Sequence, residues 1–98
     1  MQPTILAQFE NADGKTTISL ERGEDGSVRL FYHDVGAAAA RTYGNADYEA
    51  WVQVPEAALA KLAFVLLVDK LTGKADALTQ LRTFCEAHGV AFDVGVWT

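Results

Sequence analysis

Thr16-Thr17-Ile18-Ser19-Leu20-Glu21-Arg22-Gly23-Glu24-Asp25-Gly26-Ser27-Val28-Arg29-Leu30-Phe31-Tyr32-His33 is the stretch whose reading decides the fold. Ile18 and Leu20 alternate with Thr17, Ser19 and Glu21, the period of a strand with one face toward a core. Gly23-Glu24-Asp25-Gly26 is turn chemistry, and beyond it Val28, Leu30 and Tyr32 share a face opposite Arg29, Phe31 and His33. Two antiparallel strands joined by a short turn follow. Working backward, Asn11-Ala12-Asp13-Gly14 is a second turn, preceded over residues 4–10 by Ile5, Ala7 and Phe9 on one face and Leu6, Gln8 and Glu10 on the other. The three strands form a meander.

Working forward, residues 34–47 break the alternation with Gly36, four alanines at 37–40, Gly44 and Asn45, which reads as a crossing loop with about one helical turn. Period two resumes over residues 48–54, where Tyr48, Ala50, Val52 and Val54 oppose Glu49, Trp51 and Gln53. Pro55 suits the first position of a helix, because its missing N–H has no partner there in any case, and Glu56 complements the positive end of the dipole. Leu59, Leu62, Ala63, Leu66, Leu67 and Leu71 carry that helix to about Thr72, where Gly73 ends it. A second helix starts near Asp76, carries Leu78, Leu81, Phe84, Cys85 and His88, and stops at Gly89. Val90, Phe92, Val94 and Val96 alternate again and predict a last strand returning to the sheet.

The expectation is an α+β fold: an antiparallel sheet of four to five strands packed with a helical hairpin, in the order ββββααβ, with residues 1–98 as one domain. The chain has 98 residues, half of them hydrophobic and 21% charged, too apolar for intrinsic disorder. A chain of this length buries roughly 60 to 65% of the surface its unfolded form exposes.

The net charge of −5 is uneven. Residues 1–49 hold eight carboxylates against four cations, and residues 50–98 hold five against four. Such a field repels phosphate backbones and anionic membranes, and the scattered lysines and arginines form no basic patch, so direct nucleic-acid binding and membrane binding are not expected. A protein partner with a basic surface suits the charge better. Cys85 is the single cysteine, which rules out an intramolecular disulfide and suits a reducing cytoplasm. Residues 1–4 lack the basic start of a secretory signal, and the longest apolar run, residues 62–68, is far short of the roughly 20 residues that cross a bilayer.

Chemistry-bearing residues are few. His88 lies three residues after Cys85, but catalytic cysteine and histidine usually come from different elements, and Cys85 sits in the apolar stripe of its helix, as a buried thiol does. The same pair lacks the further ligands of a zinc site, so no metal and no cofactor are expected. His33 and Asp34 end the third strand while Asp47 and Glu49 open the fourth, so an imidazole and several carboxylates gather at one end of the sheet. Acid–base work there requires a pocket that separates their pKa values, whereas strand ends beside loops are ordinarily polar. Nucleotide-binding glycine loops, zinc-protease motifs and nucleophile elbows are missing from the sequence, and no catalytic residue is assigned.

Asn45-Ala46-Asp47-Tyr48-Glu49-Ala50-Trp51-Val52-Gln53-Val54-Pro55 is the most distinctive stretch. With the alternate small and branched residues facing the core, Trp51 lies on the other face with Glu49 and Gln53, either as a binding anchor among acids or as core beneath the helical hairpin. Trp97 carries the same two readings. Together with His33-Asp34-Val35-Gly36 and His88-Gly89-Val90-Ala91-Phe92, this stretch resembles short uncharacterised bacterial proteins in which an Asp-Tyr-Glu-x-Trp segment runs into Val-Pro and a leucine-rich helix. The resemblance covers about two-thirds of the chain and implies no activity and no site residue.

Three functional readings remain open. The first is a small bacterial binding protein, not an enzyme, that covers a partner's surface in the manner of an immunity protein or a phage-type inhibitor. Asp34, Asp47 and Glu49 would meet basic groups while Tyr48 or Trp51 anchors the contact. The second is a homodimeric structural module, and the third a small-ligand binder or enzyme using the His33 region.

Overall fold

The computed structural model describes residues 2–97 and has an α+β architecture. Strands β1 (Thr4–Asn11), β2 (Gly14–Arg22), β3 (Val28–Val35) and β4 (Asp47–Val54) form one antiparallel sheet in the order β1-β2-β3-β4. Helix α1 (Ala37–Tyr43) lies between β3 and β4, and α2 (Leu59–Leu71) and α3 (Ala77–His88) follow the sheet. Two compact units divide the chain, residues 1–62 and residues 63–98, with the boundary inside α2.

In the first unit, the register puts the expected apolar residues on a common face. Ile18 pairs with Tyr32 and Leu20 with Leu30, and these meet Ala50 and Val52 of β4. The opposite face carries Glu21, Arg29, Phe31, His33, Glu49 and Trp51. A register shift between Ile5 and Ala7 changes the expected reading of β1. Ala7 and Phe9 keep to the face of Ile18, but Ile5 pairs with Ser19 and so joins the polar face. A bulge adds one residue to one strand, and strict alternation cannot register it.

Both hairpin turns are held by side-chain acceptors. The Asp13 N–H donates to Asn11 Oδ1 at 2.8 Å, closing the first turn. In the second, Asp25 Oδ1 accepts from the Ser27 hydroxyl at 2.6 Å and from the Ser27 N–H at 3.0 Å. These bonds stabilise the charged form and hold the Asp25 carboxyl below its ordinary value, the Ser27 hydroxyl being the largest cause. A depressed carboxylate contributes stability that is complete above its unfolded value and is lost as the pH falls through the folded one. Asp25→Ala is therefore expected to lower the melting temperature at neutral pH, with the gap to the parent protein closing in strong acid. Melts followed by circular dichroism across that range check this, and a gap that persists in strong acid would refute the assignment.

The crossing from β3 to β4 is more ordered than the expected loop with one turn. Its four alanines and Arg41 continue into the seven-residue helix α1, capped by Gly44 in the left-handed conformation. Alanine is the best helix former, and four in succession outweigh the flanking glycines. Ala39 is fully buried, and α1 packs on β2, β3 and β4. The Ala38 N–H donates to the Asp13 carbonyl, the Gly36 N–H donates to the Ala46 carbonyl, and Arg41 pairs with Asp13 at 3.2 Å.

Pro55 precedes a single 3-10 turn (Glu56–Ala58) as its cap rather than opening the helix, and α2 begins at Leu59. In the second unit, Thr72 donates to the Val68 carbonyl and Gly73 takes a positive φ of 79°, which stops the helix where its composition indicates. Asp76 stands at the N-cap position of α3 without a side-chain capping bond, Gly89 ends the helix at φ 66°, and Cys85 is buried. The expected last strand is not formed: residues 90–97 have no strand structure, and Val94, Val96 and Trp97 are exposed. Alternation states which face a strand would use, but a strand exists only through hydrogen bonds to a neighbouring edge. Among the described residues no helix is long and apolar enough to cross a membrane.

Candidate functional site

The polar face of the sheet holds the densest group of chemistry-bearing side chains. His33 on β3 stands directly across from Glu49 on β4, and Val35 across from Asp47, so antiparallel pairing brings two carboxylates to one imidazole. His33 Nε2 lies 2.7 Å from Asp47 Oδ1 and 3.7 Å from Glu49 Oε1. One ligand atom from each residue falls within 4.8 Å of the others, a spacing that a divalent cation can span. Both carboxylates are exposed, so a cation would exchange one hydrated environment for another and gain little.

Next along the same face, Phe31 and Trp51 are a cross-strand pair with stacked rings, centroids 5.5 Å apart at 28°. Trp51 is 55% exposed. The Arg29 guanidinium sits 5.0 Å from the Phe31 centroid and pairs with Glu21 at 2.7 Å, which holds it over the ring and away from Trp51's carboxylate neighbours. The face therefore presents a rigid aromatic platform with an ion pair on one side and the His33–Asp47–Glu49 group on the other.

Asp47, Glu49 and Trp51 are thus brought together, while Asp34 and Tyr48 belong to the opposite face. Asp34 pairs with Tyr48 across the strands and accepts a hydrogen bond from Thr16 at 3.1 Å. Tyr48 stacks on Tyr43 of α1 at 3.7 Å and meets Tyr32 edge-on. The Tyr43 phenol is raised above its usual value, first by its hydrogen bond with Tyr32, then by burial and by the Asp34 charge. This second cluster ties α1 to the sheet.

Phe31 did not stand out from sequence. Its signal is the pairing with Trp51, which depends on the β3–β4 register, and no short turn fixes that register across a connection containing a helix. A concavity of roughly 570 Å³ adjoins His33, lined by Glu10, Asp13, Lys15, Thr17 and Val35 and by neither Asp34 nor Asp47. It is open and mixed in polarity rather than the apolar pocket expected of a ligand site using this region.

No family model matches the chain, and no curated protein or solved structure matches it either.

Proposed function

We propose that this chain is a small acidic binding protein that acts by covering a basic surface of a protein partner, as immunity proteins and phage-type inhibitors do. The observation that carries the reading is the stacked Phe31–Trp51 pair, half exposed on the sheet face at the β4 edge, with Asp47 and Glu49 on the same strand beside it. A large, pre-stacked ring loses little side-chain entropy on binding, and tryptophan is prominent among residues that dominate interface energies. The carboxylates beside it would steer a cationic partner toward the ring and set the salt dependence of association.

Within this reading Asp47, Glu49 and Trp51 form the contact, while Asp34 and Tyr48 shape the opposite side of the same strands. The test is to isolate complexes of the tagged protein from its host, identify the bound protein, and measure its kinetics with the purified pair. Trp51→Ala is expected to weaken binding about 30-fold or more, mainly through faster dissociation. Asp47→Lys is expected to slow association at low salt and to matter less as salt rises. A bound protein indifferent to both changes, or the lack of any bound protein, would remove this surface from consideration.

A further inference from the structure

Strands β3 and β4 bring three metal-ligating side chains to one point of the sheet. His33 on β3 stands across from Glu49 on β4, and Asp47, two residues before Glu49, shares its face. One ligand atom from each residue lies within 4.8 Å of the other two, and His33 Nε2 is 2.7 Å from Asp47 Oδ1. Metal bonds of about 2.0 to 2.2 Å set the donors of a tetrahedron about 3.3 to 3.6 Å apart, so side-chain shifts on the order of 1 Å complete the geometry.

We infer that His33, Asp47 and Glu49 form a binding site for a divalent transition ion of the zinc kind, with one coordination position open. The first reason is the donor set. Carboxylate oxygens alone offer a cation little over water, but an imidazole nitrogen adds a bond that zinc favours and that calcium and magnesium do not seek. Three protein ligands and a water are the arrangement in which zinc keeps an open position. The second reason is charge. Beside a neutral imidazole, Asp47 and Glu49 are like charges at alternate positions of one strand, and a divalent ion between them relieves that repulsion. Arg29 and Arg41 are engaged by Glu21 and Asp13, and Lys15, on the same face, pairs across the strands with Glu10 and is separated from Asp47 by Val35. The third reason is placement: all three donors belong to two hydrogen-bonded strands, so their convergence is complete within the sheet. This goes beyond partner binding and does not rest on it, since a bound ion would replace two of the exposed charges with an open metal position.

The experiment is isothermal titration of Zn²⁺, and separately of Ca²⁺, into the full chain without any partner. One zinc per chain is expected, bound at least about tenfold more tightly than calcium. His33→Ala and Glu49→Gln are each expected to weaken zinc binding at least about tenfold. His88→Ala removes the other imidazole of the chain and is expected to leave zinc binding unchanged. Zinc is also expected to raise the melting temperature of the parent protein and not that of His33→Ala. Circular dichroism verifies that each variant is folded, and Asp47→Asn serves in place of one that is not. No saturable zinc binding by the parent protein, calcium bound as tightly as zinc, or zinc binding that survives in the folded His33→Ala variant overturns the inference. So does loss of binding in His88→Ala, which would place the ion on α3 beside Cys85. Because the chain is titrated alone, the failure of the partner reading and the failure of the metal site are separate outcomes.

Discussion

Gly36→Ala is expected to lower the melting temperature by more than about ten degrees. Gly36 has a φ of 124°, outside the range that L side chains adopt readily, and a Cβ there would meet the Asp13 carbonyl oxygen at 2.5 Å and Gly14 Cα at 2.6 Å. Gly14 faces the same crossing from the other side, where an added Cβ would meet the Val35 carbonyl. Backbone, not flexible side chain, stands in the way on both sides. Separating the two segments would strain the bonds from Ala38 to the Asp13 carbonyl and from Gly36 to the Ala46 carbonyl. Conformational strain of about 1 to 3 kcal/mol together with the steric displacement gives a loss of about 3 to 4 kcal/mol. For a chain of this size each kcal/mol moves the melting point by about 4 to 8 °C. Gly44→Ala is the control: Gly44 also has a positive φ, 79°, but nothing lies within 4 Å of an added Cβ. It should cost only the left-handed preference, about 1 to 2 kcal/mol. Thermal melts of the two variants that coincide would show that the close approach at Gly36 contributes nothing.

Ala39→Asp is expected to have a comparable effect through a different cause. Ala39 is the fully buried residue by which α1 rests on the sheet, and a carboxylate there would be taken out of water. An unpaired buried charge costs about 3 to 5 kcal/mol when the structure cannot relax around it. Ala39→Leu should cost less, about 1 to 3 kcal/mol, from overpacking. Ala40→Asp, one position on and exposed, should be nearly neutral. Hydrogen exchange is the informative measurement: Ala39→Asp should release protection in α1 and at Gly36, whose N–H donates to the Ala46 carbonyl, before it releases the β1–β2 hairpin. Uniform loss across the sheet would mean that α1 is not a separately yielding element.

Both variants act on the connection that sets β4 beside β3, and this links stability to the candidate site. Phe31 stacks on Trp51, and His33 reaches Asp47, only in the present β3–β4 register. A slip of one residue would carry Trp51 to the apolar face and Ala50 to the polar one. The Tyr43–Tyr48 stack and the α1 contacts are what oppose that slip, since no tight turn joins the two strands. Variants of α1 that leave the chain folded should therefore weaken any contact made through Trp51 without touching it.

Residue pattern alone determined the meander, the faces of β2, β3 and β4, the two helices after the sheet and their glycine stops. It did so because a solvated strand must alternate and a helix end must satisfy its carbonyls, and both are local requirements. The bulge in β1 and the extent of α1 escaped it, since each reflects a neighbour's demand on a segment whose own preferences are mild. The alternation over residues 90–97 misled because composition alone does not make a strand, and those residues carry no strand structure. Tertiary structure alone decided that Trp51 is exposed and stacked on Phe31, and that Asp47 and Glu49 share its face while Asp34 and Tyr48 do not. Those are facts of register between strands, and register is set by the summed fit of many pairs, which no single stretch of sequence contains.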